Sequence, residues 1–386
     1  MARAGAARTG VLRTAHGEVE TPAFVPLASS ATVKTLDAPE VEALGFEMVL
    51  GNTFHLFIRP GHERIARLGG LHEFMGWRRP IVTDSGGFQV FSMGHGGVAD
   101  EVKHSGGGRR SEGRVLAIDE RGVTFRSYLD GRDRFMGPEE SMAVQAALGS
   151  DVALAFDECT PFHVSREYTA RAMERTHRWL ERCSAWHERS APEDQLLFGI
   201  VQGGVFEDLR EESARTVAAA EVDGVAIGGS LGRDKAQMAE VVGWSMRGLL
   251  DDRARHLLGV GDVDDVLAGV RAGVDLFDCA TPTRLARHGT ALVPEPAARW
   301  RLDITRASEA ERRDPIVEGC PCPACHGHTR AYLHYLARAK ELTAARLLTL
   351  HNLTFMAALM AGIREAIAAE RFEDYAASVM SGAAPY

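Results

Sequence analysis

Eight short apolar runs recur along the chain, at 23–27, 48–50, 81–83, 152–156, 197–201, 225–227, 256–260 and 274–279, with longer amphipathic stretches between most of them. Runs of that length bounded by turn residues read as buried strands, and the stretches between them as helices. The segment 138–148 is an instance: Pro138, Glu139 and Glu140 open it and Gly149 closes it, which are helix start and stop signals. Strand and helix alternating about eight times predicts an α/β chain whose parallel βα units close into a (β/α)8 barrel. A doubly wound open sheet competes, but no Gly-x-Gly-x-x-Gly opens the first helix.

In such a barrel the C-terminal strand ends line one mouth, where active sites sit. The residues that follow the apolar runs are rich in glycine and in groups able to do chemistry: Asn52-Thr53, Asp84-Ser85-Gly86-Gly87, Asp157-Glu158-Cys159, Gln202-Gly203-Gly204, Gly228-Gly229, Gly259-Val260-Gly261 and Asp278-Cys279. An aspartate at the end of an apolar strand is costly unless it is hydrogen-bonded or working, and Asp84, Asp157 and Asp278 all stand there. Each alone is as readily a helix N-cap. Converging on one mouth, two carboxylates facing across a substrate are the working parts of glycosyl transfer by double displacement. Gln202 and the Gly229 backbone are placed to hydrogen-bond a planar heterocycle and Phe88 to stack on it, although an isolated Phe is more often core. Arg284 and Arg287 follow Asp278 closely enough to hold phosphates.

The chain has 386 residues and a formal charge of −9, which argues against a tail-driven nucleic-acid binder but not against a local basic patch. No run approaches the roughly 20 apolar residues of a membrane helix, and Met1 to Leu12 holds no apolar signal region, so a cytoplasmic enzyme is expected. Of the six cysteines, Cys159, Cys183 and Cys279 are scattered, while Cys320, Cys322 and Cys325 cluster. That cluster suits a tetrahedral, thiolate-rich metal site, with His326, His328, His334 or His351 as fourth ligand; His326 is badly placed because it directly follows a ligand. Three thiolates and one imidazole favour Zn2+ over an iron-sulfur cluster, and a site so filled is structural.

The glycine-rich stretch 92–114 reads as a long loop after the third strand, either a lid or a surface insertion. From 330 to 369 the pattern is helical with an apolar series too wide for one stripe, which predicts packing on the barrel or on another subunit. Beyond Arg371 no signal is evident.

Several strings together carry a resemblance: Thr83-Asp-Ser-Gly-Gly-Phe-Gln-Val90, Phe156-Asp-Glu-Cys-Thr-Pro161, Gly199-Ile-Val-Gln-Gly-Gly204, Phe277-Asp-Cys279 with Pro282-Thr-Arg284, and the three cysteines with Leu350-His351-Asn352. The chain resembles the bacterial-type tRNA-guanine transglycosylases, or queuine tRNA-ribosyltransferases, from about residue 21 to about 368. The resemblance implies a barrel over 1–310, a zinc-binding subdomain with C-terminal helices over 311–370, and a tail over 371–386. It implies a pentosyltransferase that exchanges guanine at wobble position 34 of G-U-N tRNAs for 7-aminomethyl-7-deazaguanine or queuine, in queuosine biosynthesis. Asp278 is then the nucleophile that holds the ribose covalently and Asp84 the general acid and base. Asp84, Ser85, Gly86, Gly87, Phe88, Asp157, Gln202 and Gly229 bind the base. Gly259, Val260, Gly261, Asp262, Val263, Asp264 and Asp265, with Thr283, Arg284, Leu285, Ala286 and Arg287, meet the anticodon-loop RNA. Cys320, Cys322, Cys325 and His351 hold one zinc, and the expected partners are tRNA, the free bases and a second copy of the chain.

The family commonly shows Gly-Gly-Leu-Ala-Val-Gly-Glu where this chain has Gly228-Gly-Ser-Leu-Gly-Arg-Asp234, and Leu258 replaces a usual methionine. Two other readings compete: a 7-deazaguanine transglycosylase acting on DNA, against which the anticodon-contact strings argue, and a non-catalytic partner subunit, against which retention of Asp84 and Asp278 argues.

Overall fold

The computed structural model describes residues 1–92 and 115–386. Eight parallel strands close into a barrel: β1 (Ala23–Ala28), β2 (Val49–Gly51), β3 (Ile81–Thr83), β4 (Val152–Leu154), β5 (Leu196–Val201), β6 (Gly224–Ile227), β7 (Ala254–Leu257) and β8 (Leu276–Cys279). Strand β8 pairs back on β1, with Phe277 opposite Phe24 and Asp278 opposite Val25, so the sheet has no edge. All eight expected runs are barrel strands, with ends displaced by up to three residues. The run 152–156 outlasts its strand because Ala155 and Phe156, beyond the ladder, are themselves buried at the mouth.

Side chains alternate as a strand requires. Phe198 and Ile200 fill the barrel interior with Val25, Leu50, Val82, Leu154, Ala226 and Leu276. Leu197 and Val201 point outward and pack on Trp179 and Leu180 of the Arg166–Ser190 helix. The Gly10–Thr14 and Gly17–Thr21 hairpin presses Leu12 and Val19 against the interior cluster from below. There Asp151 accepts from the amides of Ile81 and His16 at 2.8 and 3.0 Å, pinning the hairpin and β3 to the start of β4. His16 and His72 also approach Asp151, but their rings are stacked 3.6 Å apart at 17°. Lone pairs lying in near-parallel ring planes do not converge on one ion, so this trio serves as a staple for the barrel floor.

The Pro138–Leu148 helix has the expected limits, and Gly149 closes it in the left-handed region at φ 71°. Between β3 and this helix lies a three-stranded antiparallel sheet, Val115–Ile118, Val123–Arg126 and Asp133–Met136. Its Val123, Phe125 and Met136 pack with Val90 and Phe91, bracing the short helix that carries Phe88. The loop reading for 92–114 lies outside the described residues.

The expected helical stretch 330–369 is two helices, Arg330–Arg338 and Leu342–Ala368, parted where Lys340 adopts φ 60°. The breadth of its apolar surface has two causes. Leu347 and Leu348 pack on the cysteine-bearing region, and Leu353, Phe355, Met356 and Leu359 pack on the barrel. Among the described residues only the Leu342–Ala368 helix is long and apolar enough to cross a membrane, and most of it is buried within the protein. Past Arg371, where the sequence carries no evident signal, Phe372–Met380 forms a further helix that places Phe372, Ala376 and Val379 in the main core. Nine residues are too few to establish a helical period. Replacing Phe372 by Ala is expected to cost about 3–5 kcal/mol, read as a lowered midpoint in urea unfolding.

Candidate active site

The barrel register brings the ends of β2 through β8 to one mouth, and the three aspartates meet there. Asn52, just past β2, caps the next helix by accepting from the His55 amide at 2.9 Å, and its Nδ2 donates to Asp84 Oδ2. The Thr53 amide donates to Asp84 Oδ1 at 2.8 Å. Asp84 is half-buried, one edge open to the mouth. Burial pushes it up to about 7; the charges of Asp278 and Asp157 add to the rise, while the amides of Thr53 and Gly86 oppose it.

Asp157 is buried at the end of β4 and is held from both sides. Ser85 Oγ donates to its Oδ1 at 2.7 Å and Gln202 Nε2 to its Oδ2 at 2.6 Å. Burial raises it to about 6 against these two bonds. Gly87 permits the approach: a Cβ there would lie 2.5 Å from the Asp157 carbonyl oxygen. Gln202 Oε1 is buried with no hydrogen-bond partner among the described residues, an acceptor left open beside the carboxylate. Gly229, at φ 78°, closes over it; a Cβ would come within 2.3 Å of that oxygen. The Gly229 amide faces the sulfur of buried Cys159, a weak acceptor that a carbonyl oxygen outcompetes. Phe88 stands at the rim with 43% of its surface exposed, which is unlike a core residue.

Asp278, on β8, is buried, and its Oδ1 accepts from the Gly259 amide at 3.2 Å. Glu158, the neighbour of Asp157, is engaged elsewhere by Tyr168 Oη at 2.7 Å and by Arg175. The two expected contact segments are mixed. Val260, Val263, Thr283 and Ala286 are buried, as is Gly261, and Leu285 is half-buried. Asp264 and Asp265 pair with Lys235, and Asp262 pairs with Arg301. Arg284 and Arg287 are exposed, and Gly259 is open at the mouth.

Three residues that matter to the site were given no role from the sequence. Asn52 and Thr53 hold Asp84, and their position after an apolar run was the available signal. Arg210 is fully buried, donating to the carbonyls of Gly204 at 2.7 Å, Gly228 at 2.8 Å, Ser230 at 3.0 Å and Val201 at 3.2 Å. It knits the β5 and β6 loops together, and an arginine in a helix of mixed charge gives no sequence signal of that.

The three clustered cysteines meet His351 rather than any other candidate. Its Nδ1 lies 3.6, 3.4 and 3.3 Å from the sulfurs of Cys320, Cys322 and Cys325. Metal bonds of about 2.3 Å to sulfur and about 2.0–2.1 Å to nitrogen at tetrahedral angles put sulfur and nitrogen about 3.5 Å apart, so the donors fit one such ion. His351 Nε2 donates to the Leu292 carbonyl at 2.7 Å, fixing the ring so that Nδ1 faces the thiols.

The family model described as queuine tRNA-ribosyltransferase matches residues 3–384. A queuine tRNA-ribosyltransferase of Roseiflexus sp. is 47% identical over 375 residues, covering 95% of this chain and 94% of that protein. The one from Pelotomaculum thermopropionicum is 48% identical over 362 residues, 94% and 91% of the two chains. That of Symbiobacterium thermophilum is 46% identical over 373 residues, 96% and 87%.

The raised carboxylates make stability depend on pH. With folded values near 7 and 6 against 3.8 as the ordinary value, the folded state binds more protons than the unfolded chain between about pH 4 and pH 7. Stability is therefore lost as pH rises through that window. Asp84→Asn removes the titration: at pH 8 its melting temperature is expected to exceed that of the unchanged protein by about 2–4 °C, a figure discounted for the open edge, with no gain at pH 4.

Proposed function

The chain belongs to the queuine tRNA-ribosyltransferase family and is a tRNA-guanine transglycosylase of queuosine biosynthesis, and from that premise we propose how its own residues carry the exchange. Asp278 attacks C1′ of guanosine 34 in G-U-N tRNAs. The carboxylate oxygen to C1′ bond forms as the C1′–N9 bond breaks, and guanine leaves with the electron pair, taking a proton from Asp84. Asp84 then accepts the N9 proton of the incoming 7-deazaguanine base, 7-aminomethyl-7-deazaguanine or queuine, and that N9 displaces the carboxylate. One N-glycosidic bond replaces another, so the exchange is nearly isoenergetic.

The observation that carries this reading is the meeting of Asp84, Asp157 and Asp278 at one mouth, with Asp84 lifted to about 7 by burial and by the other two charges. A group with that value gives and takes a proton near neutral pH. Asp157, the open Oε1 of Gln202 and the Gly229 amide read the edge of the base; Ser85 and Gly87 set Asp157, the Gly86 amide bonds Asp84, and Phe88 stacks on the ring. Arg284 and Arg287 take anticodon-loop phosphates, with the 259–262 loop and the start of the Val263–Arg271 helix beside them.

Cys320, Cys322, Cys325 and His351 hold one structural zinc, which cross-links the cysteine turn to the Leu342–Ala368 helix; no step of the exchange passes through it. Reduced thiolates suit a cytoplasmic protein. Tyr332, Tyr335 and Leu342 are exposed near this region and suit a second copy of the chain as partner.

Mass analysis of nucleosides from tRNA incubated with the enzyme and both 7-deazaguanine bases tests the exchange. Incorporation at position 34 is expected, and Asp278→Ala is expected to fall below about one-thousandth of the rate while keeping fold and metal. Full exchange by Asp278→Ala would remove the assigned nucleophile. Cys325→Ser is expected to drop zinc from about one per chain to near zero by elemental analysis and to lower the melting temperature by about 10 °C.

A further inference from the structure

The barrel interior is apolar in the layers beneath the mouth, with one histidine among the described side chains there. His256 lies on β7 opposite Leu276 of β8, which faces the interior. Asp278 stands two residues beyond Leu276 on the same strand, so pleat and register place His256 and Asp278 on one face, one layer apart. His256 is fully buried, and its Nε2 lies 2.9 Å from Asp278 Oδ1. Neither ring nitrogen satisfies hydrogen-bond alignment, so the contact is an approach at ion-pair distance. Bonds of this kind tighten in a reacting complex. An imidazole without hydrogen-bond partners in an apolar interior is costly, and a residue used only to fill that space would be apolar.

We propose that His256 is a positioning residue for Asp278: it holds Oδ1 from below and thereby sets how long the covalent intermediate lasts. The inference rests on the reading of Asp278 as nucleophile. Oδ1 faces both His256 Nε2 and the Gly259 amide, which leaves Oδ2 as the attacking oxygen. When the Oδ2–C1′ bond forms and the C1′–N9 bond breaks, Asp278 loses its charge and Oδ1 becomes an ester carbonyl, a weaker acceptor. When the incoming N9 bonds to C1′, the Oδ2–C1′ electron pair returns to the carboxylate and Oδ1 regains negative charge, received by the hydrogens on His256 Nε2 and on Gly259 N. No proton moves through His256. A donor placed there stabilises the departing carboxylate more than the ester, so its loss retards the second half of the exchange.

The test compares His256→Leu, which keeps the interior apolar and filled, with His256→Gln, whose Nε2 restores an N–H donor. Each variant is incubated with tRNA and 7-aminomethyl-7-deazaguanine. The readouts are kcat, KM for tRNA and the fraction of enzyme in denaturation-resistant adduct with RNA. His256→Leu is expected to lower kcat about 10- to 100-fold while adduct accumulates and KM for tRNA falls with it, since the first half is not slowed, and His256→Gln is expected to recover most of kcat and the ordinary adduct level. Unchanged kcat and adduct in His256→Leu would overturn the proposal. Equal impairment of both variants would also overturn it, since that marks a packing role. Asp278→Ala in the same assay separates the premise: adduct formed without Asp278 refutes the nucleophile itself.

Discussion

Three carboxylates crowded at one barrel mouth are the constraint on which the site depends. Each is held by neutral groups: Asp84 by Asn52 and Thr53, Asp157 by Ser85 and Gln202, Asp278 by the Gly259 amide. An arginine or lysine bonded to any of them would lower its affinity for a proton and weaken it as nucleophile or base. Neutral donors hold geometry without that penalty, and burial then separates the values. The closed barrel makes the crowding tolerable, because the carboxylates sit on strand ends that cannot drift apart without breaking the ladder of their neighbours.

The cation nearest the base-reading loop is handled differently. Arg210 spends its donors on main-chain carbonyls of the β5 and β6 loops, so it fixes backbone rather than neutralising an aspartate. One of those carbonyls belongs to Ser230, in the segment that departs from the family pattern, and Asp234 caps the Lys235–Arg247 helix through the Gln237 amide at 2.9 Å. The Ser230 carbonyl thus faces a guanidinium, and the Asp234 carboxylate is committed to a helix end.

Short-range physics made most of the barrel legible. Apolar runs with glycine and aspartate at their ends mark strands whatever the tertiary context, and all eight were placed from them. The same pattern exposed Asp84, Asp157 and Asp278, and close spacing exposed the cysteine trio. What stayed hidden depends on distant pairing. Spacing left four histidines open as metal ligand, because His351 reaches Cys325 across 26 residues and only the packed helix selects it. His256 sits inside an apolar run, and its meaning appears only when the β7 and β8 registers are known. Phe372–Met380 is too short for a period and folds because a core is waiting for it.

The acidic balance of the chain and its RNA substrate are reconciled locally. The 262–265 segment carries three aspartates beside the mouth, an unfavourable neighbour for phosphates. Lys235 lies 3.0 Å from Asp265 and also donates to Asp264, while Arg301 lies 3.1 Å from Asp262, so much of that charge is already answered within the protein. Arg284 and Arg287, on the helix that follows the Asp278 strand, remain exposed. A net charge of −9 is therefore compatible with a basic contact at this mouth, where Arg284 and Arg287 form no ion pair among the described residues.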